Sequence, residues 1–327
     1  MGSFTRIWPI NADSPNSRQN SFVPFSFCAF CASLWQESVV TSSGYKIVRL
    51  ANGVHSVHSL AYRETFHPVV GPEAEAEALY VKQLRLVERI REHVGEFVIW
   101  DVGLGAAANA LTVLRATRAL PCSIRMVSFD QTLEPLQFAL HHAVTLGYFG
   151  GYDQHLRWLL KNHHASFCDA AARVEWEFHL GDFPTLLTGA LARLPARRFP
   201  VPNAILFDAF SPAKNPAMWT LPLFTNLFGL LDPQRPCALP TYSRSTMLRV
   251  TLLLAGFYVG AGHATGEKEE TTIAANTLEL IDEPLDREWL QRARRSSSAE
   301  PLREAVYRQT RLVAETWERL QQHPQFK

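Results

Sequence analysis

Short segments typical of β-strands alternate with helical patterns along most of this chain, and four of these segments are followed by an acidic residue. The segments and their acids are residues 97–100 before Asp101, 123–129 before Asp130, 173–180 before Gly181-Asp182, and 203–207 before Asp208. Strands that alternate with helices form a mainly parallel sheet covered on both faces. Because ligands bind outside the carboxyl ends of such strands, we expect these acids to lie around one site.

Three later segments complete the predicted sheet. Residues 237–242 form a further strand, and residues 257–261 and 271–275 are close enough in sequence to pair as an antiparallel hairpin at one edge. Helices are predicted between the strands at 106–119, 133–147, 153–167, 183–194, 221–231 and 246–255. The prediction is therefore an α/β fold with a Rossmann-like, mainly parallel, seven-stranded sheet.

The region before the sheet predicts a hairpin and then a helix. Residues 44–50 and 54–62 alternate apolar and polar side chains on either side of Asn52-Gly53, a frequent hairpin turn. Pro72 then begins a helix that runs to about residue 94. Its first turns carry Glu73, Glu75 and Glu77, where acids suit the helix dipole.

Composition divides the chain into three parts. Residues 1–43 are rich in Ser, Asn, Pro and Phe and lack periodicity, so we interpret them as a disordered leader or as sequence upstream of the true start. Residues 44–285 form the main domain, in which 44–95 are a lid. Residues 286–327 form a charged helical extension whose last helix begins at about Leu302. No run reaches the roughly 18 apolar residues of a membrane helix.

Charge and cysteine content exclude several classes of protein. The net charge is +1, so there is no overall basic field, and a polyanion would have to bind a local patch. The cysteines are odd in number and scattered, which is typical of free thiols in a reducing compartment. Cys28 and Cys31 are spaced like a metal or redox pair but have no second pair, so neither zinc nor another metal is expected.

A glycine-containing loop follows the first acid-terminated strand. Asp101-Val-Gly-Leu-Gly105 lets the backbone approach a ligand closely, but a dinucleotide fingerprint requires a third glycine where Ala108 stands. Asp101 could pair with a ligand amine, Asp130 could accept both ribose hydroxyls, and Gly181-Asp182 could bind an adenine edge. In that order they describe a pocket for S-adenosylmethionine. The alternative for each acid is a helix N-cap.

The loop after the last of these acids is unusual in composition. Asp208 is followed by Pro212 and Pro216, which favour an irregular loop over a helix, and by Phe210 and Trp219, which offer flat apolar faces. An acid in a stiff loop beside aromatic rings suits a planar substrate that carries an amine. The alternative is an ordinary strand-to-helix loop with a capping aspartate.

Several motifs in this chain resemble the methyltransferase domain of the tRNA 5-methylaminomethyl-2-thiouridine enzymes, the MnmC/MnmD family. They are the loop from Asp208 to Trp219, the acid-x-Gly-x-Gly-x-x-x-Asn run from Asp101 to Asn109, Thr241-Tyr-Ser243 with Ala255-Gly-Phe257, and a lid motif with Glu64, His67, Gly71 and Glu75. The resemblance covers about residues 45–280. Ala106 replaces a frequent Thr, Asp101 replaces Glu, and residues 266–271 are more acidic than in the family.

This resemblance implies a class I (Rossmann-like) S-adenosylmethionine-dependent methyltransferase of the cytoplasm. It would methylate the 5-aminomethyl amine of the wobble uridine or 2-thiouridine in the tRNA anticodon loop. The forty or so residues after the domain are too few for the flavin oxidoreductase domain of bifunctional members, so a stand-alone methyltransferase is expected. One alternative is a class I methyltransferase acting on a small amine or another RNA. The other is a non-catalytic binding protein on this fold.

The resemblance and the motifs together assign candidate residues to three roles. Asp208 is the candidate proton acceptor for the amine. The cofactor site is predicted at Asp101, Gly103, Gly105, Asn109, Asp130, Gly181, Asp182 and Phe183. The substrate site is predicted at Glu64, His67, Glu75, Phe210, Pro212, Lys214, Trp219, Tyr242 and Ser243. Phosphate contacts are predicted for Lys214, Arg244 and the arginines between Arg287 and Arg295.

Overall fold

The computed structural model describes residues 44–193, 198–265 and 269–327, and its centre is a single eight-stranded sheet. A small antiparallel sheet precedes it, formed by β1 (Tyr45–Arg49), β2 (His55–Ser59) and β3 (Glu64–Thr65). The central strands are β4 (Glu96–Val102), β5 (Ser123–Asp130), β6 (His164–Asp169), β7 (Ala172–Leu180), β8 (Ala204–Phe207), β9 (Ala238–Thr241), β10 (Tyr258–Gly262) and β11 (Thr271–Ala275). Predictions made for residues 1–43 lie outside the described residues.

The central sheet has the strand order β10-β11-β9-β8-β4-β5-β7-β6. Its inner strands, β9, β8, β4, β5 and β7, run parallel. Antiparallel pairs close both edges, β10 with β11 on one side and β6 with β7 on the other. The predicted α/β fold with a mainly parallel sheet and a late antiparallel hairpin is therefore confirmed.

Helices cover the sheet on both faces. They are α1 (Pro72–Ala76), α2 (Leu86–Glu92), α3 (Ala108–Thr117), α4 (Glu134–His141), α5 (Ala143–Leu146), α6 (Asp153–Asn162), α7 (Phe183–Leu191), α8 (Leu221–Leu230), α9 (Thr246–Ala255), α10 (Arg287–Arg295) and α11 (Ala314–Gln321). A π-helical turn, Glu77–Lys82, continues α1, and a 3-10 turn, Pro216–Trp219, precedes α8.

Two hydrophobic clusters form the core, one on each face of the sheet. Alternate residues of β4 enter different clusters: Phe97 and Ile99 pack on one side, and Val98 and Trp100 pack on the other. Because residues 97–100 are all apolar and alternate between the two clusters, this part of β4 is buried on both faces of the sheet. The continuous apolar runs in the sequence therefore position the carboxyl ends of the strands, where the site lies.

The central sheet has one strand more than the seven predicted, and the additional strand is β6. The helix predicted over 153–167 ends at Asn162, because His163 takes a left-handed backbone conformation with φ 56°. The following residues form β6, which pairs along its whole length with β7. Exposed and buried positions alternate through most of β6, so its period is that of a strand.

Two other predicted helices also differ from the structure. The helix expected from Pro72 to residue 94 is broken by Arg85, whose φ is 47°, and Gln83 at the break accepts hydrogen bonds from His263 and Thr271 of the late hairpin region. The last helix begins at Ala314 rather than near Leu302, because Leu302 forms an isolated parallel bridge with Thr220. Both differences come from contacts between residues distant in sequence.

No helix in the described part of the chain has the length and apolar character needed to cross a membrane. Among the described residues, Cys122, Cys168 and Cys237 are unpaired thiols, in agreement with the predicted free thiols. Cys28 and Cys31 lie outside the described residues.

Candidate active site

A cavity of about 360 Å³ opens at the carboxyl ends of β4, β5, β7 and β8. This volume lies within the range of roughly 300–1,000 Å³ that is usual for small-molecule sites. Of the predicted site residues, those that line it are Glu64, His67, Glu75, Gly103, Gly105, Asn109, Asp130, Gly181, Phe183, Asp208, Phe210 and Tyr242. The strand-end argument therefore brings together most of the residues selected from the sequence.

The backbone on both sides of Asp208 is fixed by hydrogen bonds from distant elements. Its amide donates to the Val102 carbonyl of β4 at 3.0 Å. The hydroxyl of Tyr80, in the π-helical turn, donates to the Phe207 carbonyl at 3.3 Å, and the hydroxyl of Tyr242 donates to the Ala209 carbonyl at 3.0 Å. Because each neighbouring peptide group is held, the position of the Asp208 carboxylate is defined by the fold and not by its loop alone.

The Asp208 carboxylate faces polar side chains within the cavity. Asn109 Nδ2 donates to Asp208 Oδ2 at 2.8 Å, and His67 Nε2 lies 3.5 Å from the same oxygen. The Asp208 side chain is 18% exposed. Asn109 Oδ1 is buried and has no hydrogen-bond partner among the described residues. A free acceptor next to an anchored carboxylate suits a ligand with N–H groups.

Asp130 closes the cavity on the side of β5. Its carboxylate accepts hydrogen bonds from the Gly105 amide at 2.9 Å and from the Thr132 amide at 3.3 Å. Burial raises the pKa of Asp130, and these backbone hydrogen bonds oppose that rise. Each carboxylate oxygen can accept a second hydrogen bond, so the group can still bind a pair of ligand hydroxyls.

Asp101 lies beneath the cavity and does not line it. Its side chain is buried inside the sheet, where Asp101 Oδ2 accepts a hydrogen bond from Ser128 Oγ at 2.8 Å. Ser128 Oγ in turn accepts a hydrogen bond from Trp176 Nε1 at 2.9 Å. Burial raises the pKa of Asp101 to about 7; the Ser128 hydrogen bond lowers it and the charges of Asp208 and Asp130 raise it. The geometry does not support the predicted contact between Asp101 and a ligand amine.

Asp101→Asn is expected to stabilise the protein above neutral pH. The folded-state pKa of about 7 exceeds the ordinary value of 3.8, so the folded state binds the proton more tightly than the unfolded state. The contribution of Asp101 to stability is therefore complete at low pH and is lost as pH rises through about 7. The difference in melting temperature, variant minus wild type, should increase between pH 5 and pH 8.5. The increase should correspond to a change of at least about 1 kcal/mol in the difference between their free energies of unfolding. A constant difference across that range would contradict a buried, proton-binding Asp101.

The third predicted cofactor acid is a helix cap. Asp182 accepts hydrogen bonds from the amide of Thr185, at the start of α7, and from the Thr185 hydroxyl, and it also accepts one from Gln131. Only its neighbours Gly181 and Phe183 line the cavity. The N-cap alternative describes Asp182 better than an adenine contact does.

The two glycines after Asp101 allow close contacts within the protein as well as with a ligand. A Cβ at Gly103 would lie 2.8 Å from the Asp208 carbonyl oxygen, and a Cβ at Gly105 would lie 3.2 Å from Cε2 of Phe66. Both residues have positive φ. Gly103 therefore lets the β8 loop approach β4, and Gly105 lets the N-terminal lid approach the cavity.

The N-terminal sheet contacts the Asp208 loop directly. Glu64 accepts hydrogen bonds from both the amide and the hydroxyl of Ser211. The ring of Phe210 stacks on Tyr62 with 4.1 Å between centroids, and it packs edge-on against Phe66 at 5.4 Å. Residues of the range 62–68 therefore form one side of the cavity.

Four predicted substrate residues lie outside the cavity lining. Trp219 is fully buried and donates from Nε1 to the Phe210 carbonyl, so the stacking role predicted for it is wrong. Pro212 and Lys214 lie on the far part of the loop, and Ser243 accepts a hydrogen bond from the Ser245 amide next to α9. Lining residues that the sequence analysis did not select include Tyr45, Tyr62, Phe66, Gln131 and Met218. Of these, Phe66 lay inside the lid motif and could have been found there.

Comparisons with known proteins show similarity to methyltransferases. Residues 156–277 match a family described as S-adenosyl-L-methionine-dependent methyltransferase. The tRNA 5-methylaminomethyl-2-thiouridine biosynthesis bifunctional protein MnmC of Aeromonas hydrophila is 30% identical over 212 residues, which are 60% of this chain and 30% of that protein. The protein of the same name from Methylibium petroleiphilum is 28% identical over 236 residues, 70% of this chain and 34% of that protein. The matches thus span about a third of these relatives.

A solved structure supports the fold. The crystal structure of MnmC2 from Aquifex aeolicus has a TM-score of 0.63 and 22% identity, over 88% of this chain and 85% of that one. The fold, the site and the family match define an S-adenosylmethionine-dependent methyltransferase, and S-adenosylmethionine is its cofactor. Within this class the chain is similar to part of the MnmC proteins.

The residues of the cavity fit this cofactor. Asp130 stands at the end of β5 with acceptor capacity for ribose hydroxyls, and the free Asn109 Oδ1 can accept from an amino group. The described lining carries the carboxylates of Glu64, Glu75, Asp130 and Asp208 and contains no lysine or arginine. Acidic surroundings of this kind suit a cationic sulfonium. No group of three or more His, Cys, Asp or Glu in the described ranges is arranged to hold a metal ion.

Proposed function

We propose that this chain methylates the primary amine of a 5-aminomethyl group on the wobble uridine of tRNA, 2-thiolated or not, to give 5-methylaminomethyluridine. The observation that carries the proposal is the Asp208 carboxylate, held by Asn109 within an acidic cavity and flanked by the Phe210 and Tyr62 rings. The names of the relatives support this substrate. A tRNA substrate also places the reaction in the cytoplasm.

In this proposal the cofactor supplies an electrophilic methyl group on a sulfonium. Asp130 holds the ribose hydroxyls, and Asn109 Oδ1 accepts from the amino group of the cofactor. Asp208 accepts a hydrogen bond from the substrate amine and aims its nitrogen lone pair at the methyl carbon. Because nucleophilic displacement requires an in-line approach, these residues act mainly by orientation. The hydrogen bonds from Ser211 to Glu64 hold the loop after Asp208 against the N-terminal sheet on one side of the cavity.

The base of the uridine would lie against the aromatic part of the cavity. Phe210, Phe66 and Tyr62 form a continuous group of rings at the lid, and enzymes that act on single-stranded loops commonly hold an extruded base between such rings. Tyr242, in the loop after β9, also lines the cavity. Trp219 has no part in this arrangement.

Phosphate contacts are proposed for Lys214 and Arg244, which are exposed on the loops after β8 and β9. The arginines of α10 are less available than the sequence suggested. Arg287 donates to the Phe326 carbonyl, and the Arg294 guanidinium lies 4.8 Å from the ring centre of Trp317. These two side chains hold the C-terminal extension together, which leaves Arg292 and Arg295 of that group for RNA.

The proposal is tested by methyl transfer to defined RNA. The purified protein, with S-adenosylmethionine, should methylate tRNA that bears 5-aminomethyluridine and should leave tRNA with unmodified uridine at that position unchanged. Nucleoside mass spectrometry of the products measures both outcomes. Equal methylation of the two tRNAs at another nucleoside would overturn the wobble-uridine assignment.

A second candidate function is methylation of a small free amine. The lid favours it, because the Tyr62–Phe210 stack and the Glu64–Ser211 hydrogen bonds leave a cavity of about 360 Å³, which a small molecule can enter more easily than a tRNA loop. Running the same assay with 5-aminomethyluridine as a free nucleoside separates the two candidates. Faster turnover of the nucleoside than of the tRNA would favour the small-amine function.

Asp130→Ala is expected to weaken binding of S-adenosylmethionine by about 1.5–3 kcal/mol, which is roughly 10- to 100-fold in Kd. The variant loses the hydrogen bonds that the charged Asp130 carboxylate accepts from the ribose hydroxyls. Isothermal titration calorimetry measures the affinity, and Asp282→Ala is a suitable control because the Asp282 side chain is 61% exposed. Asp130→Asn removes the charge but keeps the size of the side chain and an acceptor for one of the two amides, Gly105 and Thr132, which bond to separate carboxylate oxygens. Unchanged affinity in both Asp130 variants would refute the ribose assignment.

A further inference from the structure

His67 combines a strained backbone with a buried side chain at the site. Its φ is 49°, in the left-handed region that costs a residue with a Cβ about 1–2 kcal/mol. Strained conformations of this kind persist where the surrounding structure holds them, and they are concentrated at functional sites. The His67 side chain is only 7% exposed and lines the cavity. The fold therefore holds an imidazole at this place at a cost in stability.

The two ring nitrogens of His67 have different surroundings. Nε2 lies 3.5 Å from Asp208 Oδ2, so a small shift would make a hydrogen bond to the carboxylate. Nδ1 is buried and has no hydrogen-bond partner among the described residues. A buried polar atom without a partner normally carries a free-energy penalty, unless a ligand supplies the missing hydrogen bond. The imidazole thus has a carboxylate near Nε2 and, at Nδ1, a buried position that lacks a hydrogen-bond partner among the described residues.

The charges around the cavity make proton removal the difficult part of the reaction. The titratable groups that share the described lining with His67 are Glu64 of β3, Glu75 of α1, Asp130 after β5, Asp208 after β8, and the tyrosines Tyr45, Tyr62 and Tyr242. Four carboxylates without a lysine or arginine stabilise an ammonium ion, and an ammonium nitrogen has no lone pair with which to attack. A base is required, and the best base has a pKa near the working pH. Within the described lining His67 is the only histidine.

We propose that His67 is the catalytic base that takes the proton from the substrate ammonium, and that Asp208 orients its imidazole and balances the imidazolium charge. The inference rests on the proposed function and names the proton acceptor of that same site. Neutral imidazole Nδ1 accepts one proton from the ammonium, which leaves a primary amine. The nitrogen lone pair forms a bond to the methyl carbon as the carbon–sulfur bond breaks, and that electron pair stays on sulfur as a neutral thioether. The product is a secondary ammonium, and the imidazolium later releases its proton to water.

The test is the pH dependence of single-turnover methylation by His67→Asn. Asparagine tolerates positive φ and keeps a polar side chain, but it cannot take a proton. Its rate at pH 7 should fall by about 10²-fold or more. The deficit should shrink as pH rises towards 10, because the substrate amine then loses its proton to solvent. A role limited to structure would lower the rate by the same factor at every pH.

Two further variants keep the inference testable if His67→Asn is poorly folded. Glycine accepts φ 49° without strain and leaves a space, so added imidazole should restore part of the activity of His67→Gly. His58→Asn is the matched control, because His58 lies on the same small sheet, hydrogen-bonds Thr65 and does not line the cavity. It should keep the wild-type pH profile. Calorimetric titration should show cofactor affinity close to wild type in all three variants.

The outcomes separate this inference from the proposed function. If the wild-type protein methylates neither tRNA bearing 5-aminomethyluridine nor the free nucleoside, the proposed function fails, and the role of His67 fails with it. If the wild-type protein is active and His67→Asn has the same rate and pH profile, only the inference is overturned. A pH-independent loss in His67→Asn, with no recovery of His67→Gly by imidazole, also overturns the inference.

Discussion

Asp208→Asn should lower the single-turnover rate of methyl transfer by about 10²- to 10³-fold while cofactor affinity stays within about 1 kcal/mol of wild type. The variant keeps the shape of the side chain and one acceptor oxygen, so the backbone contacts with Val102, Tyr80 and Tyr242 remain. It loses the negative charge that favours removal of a proton from the substrate amine. The expected loss is at the lower part of the range for acid–base catalysis because orientation survives.

The measurement pairs single-turnover methylation of tRNA bearing 5-aminomethyluridine with a cofactor titration of the same variant. Asp182→Asn is a matched control, since Asp182 also follows a strand of the central sheet but caps α7 and does not line the cavity. It should leave both the rate and the affinity near wild type. A wild-type rate in Asp208→Asn, or a loss of activity caused only by failed cofactor binding, would show that Asp208 has no catalytic role.

The strands that position the site were predictable because their signal is local. The apolar runs before Asp101 and Asp208 are long enough to show burial on both faces, and the carboxyl ends of parallel strands necessarily meet at one edge of the sheet. The direction of each acidic side chain was not predictable. Asp101 turns into the sheet because Ser128 and Trp176, on two other strands, supply its hydrogen-bonded chain. No pattern around residue 101 indicates those partners.

The errors in the predicted elements have the same origin. Arg85 breaks a helix that its local sequence supports, where Gln83 bonds to residues 263 and 271. Trp219 looked like a stacking platform, but it packs against Phe207 and is covered completely by the core beside β8. Pairings across more than a hundred residues, or the exact depth of an aromatic ring, depend on the assembled fold and not on a sequence window.

The second large effect is expected for the substitution of Gly103 by alanine, which adds a Cβ beside the Asp208 loop. Gly103→Ala is expected to reduce the free energy of unfolding by about 2–5 kcal/mol, from two causes. A left-handed backbone costs alanine about 1–2 kcal/mol, and φ at Gly103 is 96°. The new Cβ would also lie 2.8 Å from the Asp208 carbonyl oxygen, a backbone atom that cannot rotate away, and such overpacking costs a further 1–3 kcal/mol or so.

Gly95→Ala separates these two causes. Gly95 has a nearly equal φ of 93°, but nothing lies within 4 Å of a Cβ built there. Its alanine variant should therefore lose only about 1–2 kcal/mol of stability and keep its methylation rate. Gly103→Ala should lose more stability in urea unfolding, and also activity, because the clash pushes the Asp208 loop away from β4 and a displacement of about 1 Å can cost 10²-fold in rate. Equal losses of stability in the two variants, with full activity in both, would show that the close approach of Gly103 to Asp208 is not needed for the site.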